Sequence, residues 1–235
     1  MTYNTIHKVG KNRVVSSEIT YNTIGEFGIL MPQTKTAFNV IDKNDNLLLR
    51  DWFDTCQILE NGTIIIGYIR SKEEQKALRK YTGYTLVNDV LEKYKFRYGA
   101  INSAGELIIE PLLDFLEDGK EDTLLATYHQ KKGFFSSTDG TQITPICFID
   151  AHKYQEGLAC VRFTDYYGYI DKRIMRNPSN RSQYQIPAEF IKATDFHDGQ
   201  AEVSTSRETF IIDHEGKKSS IKKLSLRRNW YNDPK

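Results

Sequence analysis

An all-β repeat architecture is expected of this chain on three grounds. Two segments, Pro145-Ile-Cys-Phe-Ile-Asp-Ala-His-Lys-Tyr-Gln-Glu-Gly-Leu-Ala-Cys-Val161 and Pro187-Ala-Glu-Phe-Ile-Lys-Ala-Thr-Asp-Phe-His-Asp-Gly-Gln-Ala-Glu-Val203, align without a gap at an offset of 42 residues. Self-similarity at a fixed spacing marks a repeat protein. A second landmark, two apolar positions followed by a turn-forming polar residue, recurs behind a glycine at Tyr98-Gly-Ala-Ile-Asn102, Lys132-Gly-Phe-Phe-Ser136 and Tyr167-Gly-Tyr-Ile-Asp171. Copies without the glycine stand at Phe38-Asn-Val-Ile-Asp42 and Thr209-Phe-Ile-Ile-Asp213. Finally, short apolar runs alternate with turn residues along the chain, and 14 Tyr with 12 Phe supply aromatic side chains that favour strands.

The last residues of the second landmark, Asp42, Asn102, Ser136, Asp171 and Asp213, are separated by 60, 34, 35 and 42 positions, which defines five units. They are read as residues 14–66, 84–127, 128–161, 162–203 and 204–226 of one domain spanning 1–235. The first unit opens with strands around Val14-Val15 and over 19–29, and a hairpin folds about the Asp42 to Asn46 turn. The interval from Phe53 to Gly62 copies those from Phe148 to Gly157 and Phe190 to Gly199. Hairpins follow about Asn102-Ser-Ala-Gly105, Asp139-Gly140 and Glu215-Gly216, because a Gly-containing turn between two short apolar runs folds them antiparallel. Residues 157–161 add a further strand. The second unit is the poorest copy, with Asp114 at the aromatic position and Thr123 at the glycine position. Three or four strands per unit suit a five-bladed β-propeller, completed by the N-terminal strands and a closing strand at 220–226. An open array of twisted β-hairpins is the alternative, favoured by the unequal steps.

Two insertions break the pattern. Ser71-Lys-Glu-Glu74 forms a capping box, in which the Ser71 hydroxyl takes the Glu74 amide and the Glu74 carboxylate returns to Ser71. It starts one short helix near 72–81, stopped before Gly83, and accounts for the long 60-residue step. In the fourth unit, residues 172–185 form a basic, turn-rich insertion. Insertions in repeat proteins gather on loops, often on the binding face, so Arg173, Met175, Arg176, Arg181 and Tyr184 are the expected partner contacts.

The run Tyr154-Gln-Glu-Gly-Leu-Ala-Cys-Val161, leading into Tyr167-Gly-Tyr-Ile-Asp171 and on to Pro187 and Phe190, resembles the bacterial WG-repeat family. Its units read Phe-x-Asp/Glu-Gly-Leu-Ala-x-Val, then Trp/Tyr-Gly-Tyr-Ile-Asp, then an apolar Pro segment with Phe/Tyr-Asp. The resemblance is specific over about 98–213 and faint over 37–66; the family's Trp is replaced by Tyr98, Lys132 and Tyr167. It implies a β-rich interaction module and no particular reaction.

Chemistry-bearing motifs are sparse. With 32 Lys and Arg against 31 Asp and Glu, the net charge of +1 gives no global attraction to nucleic acid or acidic membranes. Basic pairs from Lys217-Lys218 to Arg227-Arg228, ahead of Trp230-Tyr231, have the makings of a single-strand nucleic-acid grip, yet the 220–226 segment reads more simply as the closing strand. Asp42, Asp171 and Asp213 could converge as acid-base carboxylates, but their place at hairpin turns has a plainer cause, since Asp and Asn accept backbone amides two residues on. The five histidines lack ligand spacing, so no metal or cofactor is expected. Cys56, Cys147 and Cys160 lack CxxC spacing and point to a reducing compartment. No segment has the length and apolarity of a signal sequence or membrane span. The expectation is a non-enzymatic, cytoplasmic scaffold that recognises another protein, as an adaptor, regulator or immunity-type neutraliser. A small-ligand or glycan-binding, lectin-like module is the alternative.

Overall fold

The computed structural model describes residues 4–24, 30–82 and 94–218. The expected helix stop at Gly83, the closing strand at 220–226 and Trp230-Tyr231 lie outside them. Seventeen strands form five small sheets among the described residues. The first contains β1 (Asn4–Val9), β2 (Asn12–Ile24) and β3 (Leu30–Ile41); the second β4 (Thr55–Ile58), β5 (Ile64–Ile69), β6 (Phe96–Ile101) and β7 (Leu107–Leu113). The third contains β8 (Phe115–Lys120), β9 (Thr123–Tyr128) and β10 (Lys131–Ser136). The fourth contains β11 (Asp150–Ala151), β12 (Ala159–Arg162), β13 (Tyr167–Ile170) and β14 (Ile186–Phe190), and the fifth β15 (Lys192–Ala193), β16 (Ala201–Ser204) and β17 (Thr209–Ile212). Each is an antiparallel meander in chain order. The described residues are therefore all-β with one short α-helix, α1 (Lys72–Thr82), inserted between β5 and β6. Its capping box is formed as expected: the Glu74 amide donates to Ser71 Oγ over 3.1 Å and the Ser71 amide to Glu74 Oε2 over 2.7 Å.

Side-chain alternation explains how the sheets stack. In β5, Ile64 and Ile66 face the first sheet with Val9, Val14, Val40 and Phe53, while Ile65 faces the third with Leu116, Leu124 and Ala126. Strand β9 divides likewise, Leu124 toward the second sheet and Leu125 toward Phe134, Ala159 and Val161. Strand β12 gives Ala159 and Val161 to the third sheet, and Cys160 to the fifth with Phe196, Val203 and Ile212. An inner sheet buried on both faces needs an unbroken apolar strand, so Ile64-Ile65-Ile66, Leu124-Leu125-Ala126 and Ala159-Cys160-Val161 are continuous rather than alternating. All four core clusters join consecutive sheets. Among the described residues the sheets do not form a closed barrel.

The landmark glycines are set by close backbone approach. A Cβ on Gly99 would lie 2.4 Å from Ile109 O, on Gly133 2.7 Å from Pro145 O, and on Gly168 2.7 Å from Ala188 N. In each case the intruding backbone belongs to the segment carrying Pro111, Pro145 or Pro187. The β6–β7 and β13–β14 registers also shift there, so the crossing is a bulge. The polar residue closing each landmark caps its own turn. Asp42 Oδ1 accepts the Asn44 and Asn46 amides, Asn102 Oδ1 those of Ala104 and Glu106, and Asp213 Oδ1 those of Glu215 and Lys217, over 2.8 to 3.1 Å. Asp171 Oδ1 takes the Arg173 amide at 2.9 Å and Ser136 Oγ the Thr138 amide at 3.2 Å.

Pairing corrects the register of the second unit. Phe38, Lys132 and Tyr167 pair with Phe53, Phe148 and Phe190, and Tyr98 pairs with Leu113. Leu113, one residue before the expected Asp114, therefore occupies the aromatic place. Nine residues on, Asp122 with φ +61° stands where Gly62, Gly157 and Gly199 have φ of +85°, +82° and +75°. Counting twelve residues from Asn102, the spacing from Ser136 to Phe148, misses this because Leu113 stands eleven residues after Asn102, as Phe53 does after Asp42. Asp114 instead matches Asp54: Oδ2 of each accepts an amide fifteen residues on, Ile69 at 2.8 Å and His129 at 2.7 Å.

Each junction between consecutive sheets carries an ion pair. Lys35 pairs with Asp54 between the first and second sheets. Arg70 Nη2 reaches Asp114 Oδ1 at 2.7 Å between the second and third, both side chains nearly buried. Lys132 Nζ lies 2.9 Å from Asp150 Oδ1 between the third and fourth, and His152 Nδ1 2.7 Å from Asp195 Oδ1 between the fourth and fifth. Turns are linked too: the Gly157 amide donates to Glu121 Oε1 at 3.0 Å and the Gly199 amide to Glu156 Oε2 at 2.9 Å.

Gly168→Ala forces a side chain into the crossing backbone and should cost about 3 kcal/mol or more, whereas Gly157→Ala meets no atom within 4 Å and should cost about 1 kcal/mol from its left-handed φ. Urea denaturation of the two variants in parallel checks the difference. Asp114→Ala strands the buried Arg70 guanidinium and should lose about 3–5 kcal/mol by the same measurement.

Candidate binding groove

The 172–185 insertion leaves the β13–β14 hairpin and is folded back onto the third and fourth sheets. Met175 donates its amide to Ile143 O at 2.7 Å, and its side chain, only 3% exposed, sits in the core with Phe134, Tyr154 and Tyr184. The Tyr184 ring is buried there as well, and its hydroxyl donates to Pro178 O at 3.0 Å. Burial pushes the Tyr184 phenol up to about 12, so it is a neutral donor. Gln183 Oε1 accepts the Arg176 and Asn177 amides, each at 2.9 Å, and Asn180 Oδ1 caps the single turn Arg181–Gln183. An apolar anchor at either end and side-chain acceptors between them hold the loop in one shape before any partner arrives.

The loop forms one wall of an open groove of about 660 Å³. Pro178, Ser179, Arg181 and Tyr184 come from the insertion, and Phe163, Thr164 and Tyr166 from the β12–β13 turn. Ala188, Glu189 and Ile191 come from β14 and the step into the fifth sheet, and Thr205 and Ser206 from the β16–β17 turn. The floor is apolar and aromatic, with Tyr166 and Ile191 substantially exposed. Arg181 Nη2 lies 3.3 Å from Glu189 Oε2, and both side chains are open to water, so the pair orients the rim and adds little stability.

Of the five residues expected as contacts, Arg181 and Tyr184 line the groove. Met175 is in the core and anchors the loop, while Ile174 beside it stays exposed. Arg173 is exposed and turned toward its own hairpin, Nε to Asp171 Oδ2 at 2.6 Å. Arg176 is exposed and has no carboxylate partner among the described residues. Phe163, Tyr166, Ile191 and Thr205 were not singled out from the sequence. The available signal was the doublet Tyr166-Tyr167: alternation sends only Tyr167 to the landmark position, leaving Tyr166 on the other side.

Reactive groups are held quiet. Asp42, Asp171 and Asp213 each cap a separate turn, and hydrogen bonds from Asn46 keep the Asp42 carboxyl below its usual range. Burial pushes the Cys56 and Cys147 thiols up to about 11 and Cys160 higher still, so all three are neutral thiols, unpaired with one another. Among the described residues no cluster of three or more His, Cys, Asp or Glu side chains is placed to hold a metal, and no helix is long and apolar enough to cross a membrane.

Set against known proteins, no curated protein and no solved structure gives a significant match to the chain. The family model of the WG containing repeat matches residues 98–124, from the Tyr98-Gly99 landmark across β7 and β8 into the start of β9.

Proposed function

We propose that this protein is a non-enzymatic, cytoplasmic scaffold that recognises another protein through the groove between its fourth and fifth sheets, acting as an adaptor, regulator or neutraliser. The observation that carries the reading is the pre-shaped insertion, which among the described residues only the fourth unit bears at this turn and which makes a wall of the groove. A surface ordered before binding loses less freedom on association, and Arg and Tyr are the side chains that most often anchor interfaces. The neutral thiols and turn-bound aspartates support a binding role over a catalytic one. For the architecture we favour sheets stacked in chain order as an open array, with the five-bladed propeller as its closed counterpart.

A glycan-binding reading has one observation in its favour: the exposed Tyr166 ring beside the Arg181–Glu189 pair and the Thr and Ser hydroxyls, a mixture able to stack on a sugar face and bond its hydroxyls. Saturable binding on a glycan array that Tyr166→Ala abolishes would establish this reading in place of the first.

Because Met175 and Tyr184 are core residues, the test uses exposed positions. Partners captured from the native host are compared between the natural protein and the Tyr166→Ala, Arg181→Ala double variant, which should stay folded. Loss of about 2 kcal/mol or more, a roughly 30-fold weaker Kd, is expected for a genuine anchor pair. Unchanged affinity for the same partner would remove the groove from the account.

A further inference from the structure

The junction between the fourth and fifth sheets differs from the one before it in the chemistry of its cations. Between the third and fourth sheets the partners are lysines: Lys132 on Asp150 at 2.9 Å, Lys153 on Glu117 at 2.9 Å and Lys172 on Glu121 at 3.1 Å. Between the fourth and fifth they are histidines. His152 Nδ1 lies 2.7 Å from Asp195 Oδ1, and His214 Nε2 lies 3.2 Å from Glu156 Oε2, close enough for an ion pair though not aligned as a hydrogen bond. Two of these contacts occupy the same place in the repeat. Lys172 and His214 each directly follow a landmark aspartate, and Glu121 and Glu156 are the two carboxylates that accept the next turn's glycine amide. Lysine remains charged throughout the neutral range; histidine does not.

We propose that the docking of the fifth sheet on the fourth, and with it the shape of the groove they enclose, is controlled by protonation of His152, while the preceding junctions are insensitive to pH near neutrality. His152 sits between two carboxylates, with Nε2 also 3.6 Å from Asp150 Oδ2, so the imidazolium links Asp150 of the fourth sheet to Asp195 of the fifth. The other groups facing it are Lys132 from β10, whose charge opposes protonation, and the Tyr167 ring from β13, while the buried Cys160 thiol of β12 lies near the same two aspartates. The hydrogen bond to Asp195 raises the imidazole above its ordinary value of 6.5 against partial burial, with the Asp195 and Asp150 charges adding to it. A raised histidine contributes stability that is fully present below the unfolded value and is lost as pH rises through the folded value. The junction is therefore tight in mild acid and loosens as pH passes upward through the neutral range. Neutral His152 can still donate Nδ1–H to Asp195, so the change is a graded loosening rather than release.

The inference is independent of what the groove binds, and its test uses no partner. Amide hydrogen exchange of the full chain is followed from about pH 5.5 to about pH 8.5, the range a histidine spans, and corrected for the intrinsic pH dependence of exchange. Exchange across residues 192–218 should quicken several-fold at the upper end, at most about tenfold per unit of pKa elevation, while residues 123–136 stay unchanged. His152→Asn keeps a side-chain amide donor but cannot titrate, so its pH difference should vanish. A natural protein with no segment-specific change, or a His152→Asn variant that keeps it, overturns the proposal. A second readout does not depend on that variant: the imidazole of His152, titrated by NMR, should shift its midpoint downward in Asp195→Asn, and an unmoved midpoint overturns the proposal equally.

Discussion

The inner sheets of this protein are apolar on both faces and must be covered on both, and that constraint organises the rest. Three or four short strands present two faces, and an inner sheet with Ile64-Ile65-Ile66 or Ala159-Cys160-Val161 at its centre has both faces apolar. Such a sheet persists only between two neighbours. Burial therefore couples each sheet to the one before and the one after, and the core is a series of interfaces rather than one mass. The glycine of the landmark belongs to the same logic. By letting the proline segment cross directly over it, it brings the last strand of a unit into a bulge that delivers the chain to the next sheet.

Polar contacts are placed at the same interfaces. The turn carboxylates Glu121 and Glu156 reach forward to the next unit's glycine amide, and one ion pair spans each junction. Three of the four junction pairs use Lys or Arg and the fourth uses His152. The insertion, seated on the third and fourth sheets, walls the groove beside this last junction, so the interface paired through histidine also borders a formed recess. Binding surfaces in repeat proteins arise where units differ while the core stays constant, and residues 172–185 are one of the two insertions by which this chain departs from its repeat.

The turn caps and the start of the helix were legible because each depends on residues adjacent in sequence. Asp42, Asn102 and Asp213 bond amides two and four positions away, and Ser71 and Glu74 bond each other. The one-residue slip that put Asp114 in place of Leu113 came from a connection one residue shorter than that of the third unit, which only strand pairing reveals. The junction pairs were hidden for a different reason: Lys35 and Asp54, Arg70 and Asp114, and His152 and Asp195 meet only after two sheets have stacked, at three different separations. For the groove, the insertion's basic composition pointed to the right segment, but it could not tell that Met175 turns inward or that Tyr166 and Thr205 complete the recess from other turns.

The serial stack is tested most directly by native-state hydrogen exchange in increasing sub-denaturing urea, read sheet by sheet. If stability is a sum of neighbour interfaces, the sheets should open in separate steps of different free energy and urea dependence, with the inner second, third and fourth sheets outlasting the first and fifth. A single step, in which amides of β2 and β16 open with the same free energy and urea dependence as those of β9, would contradict the account.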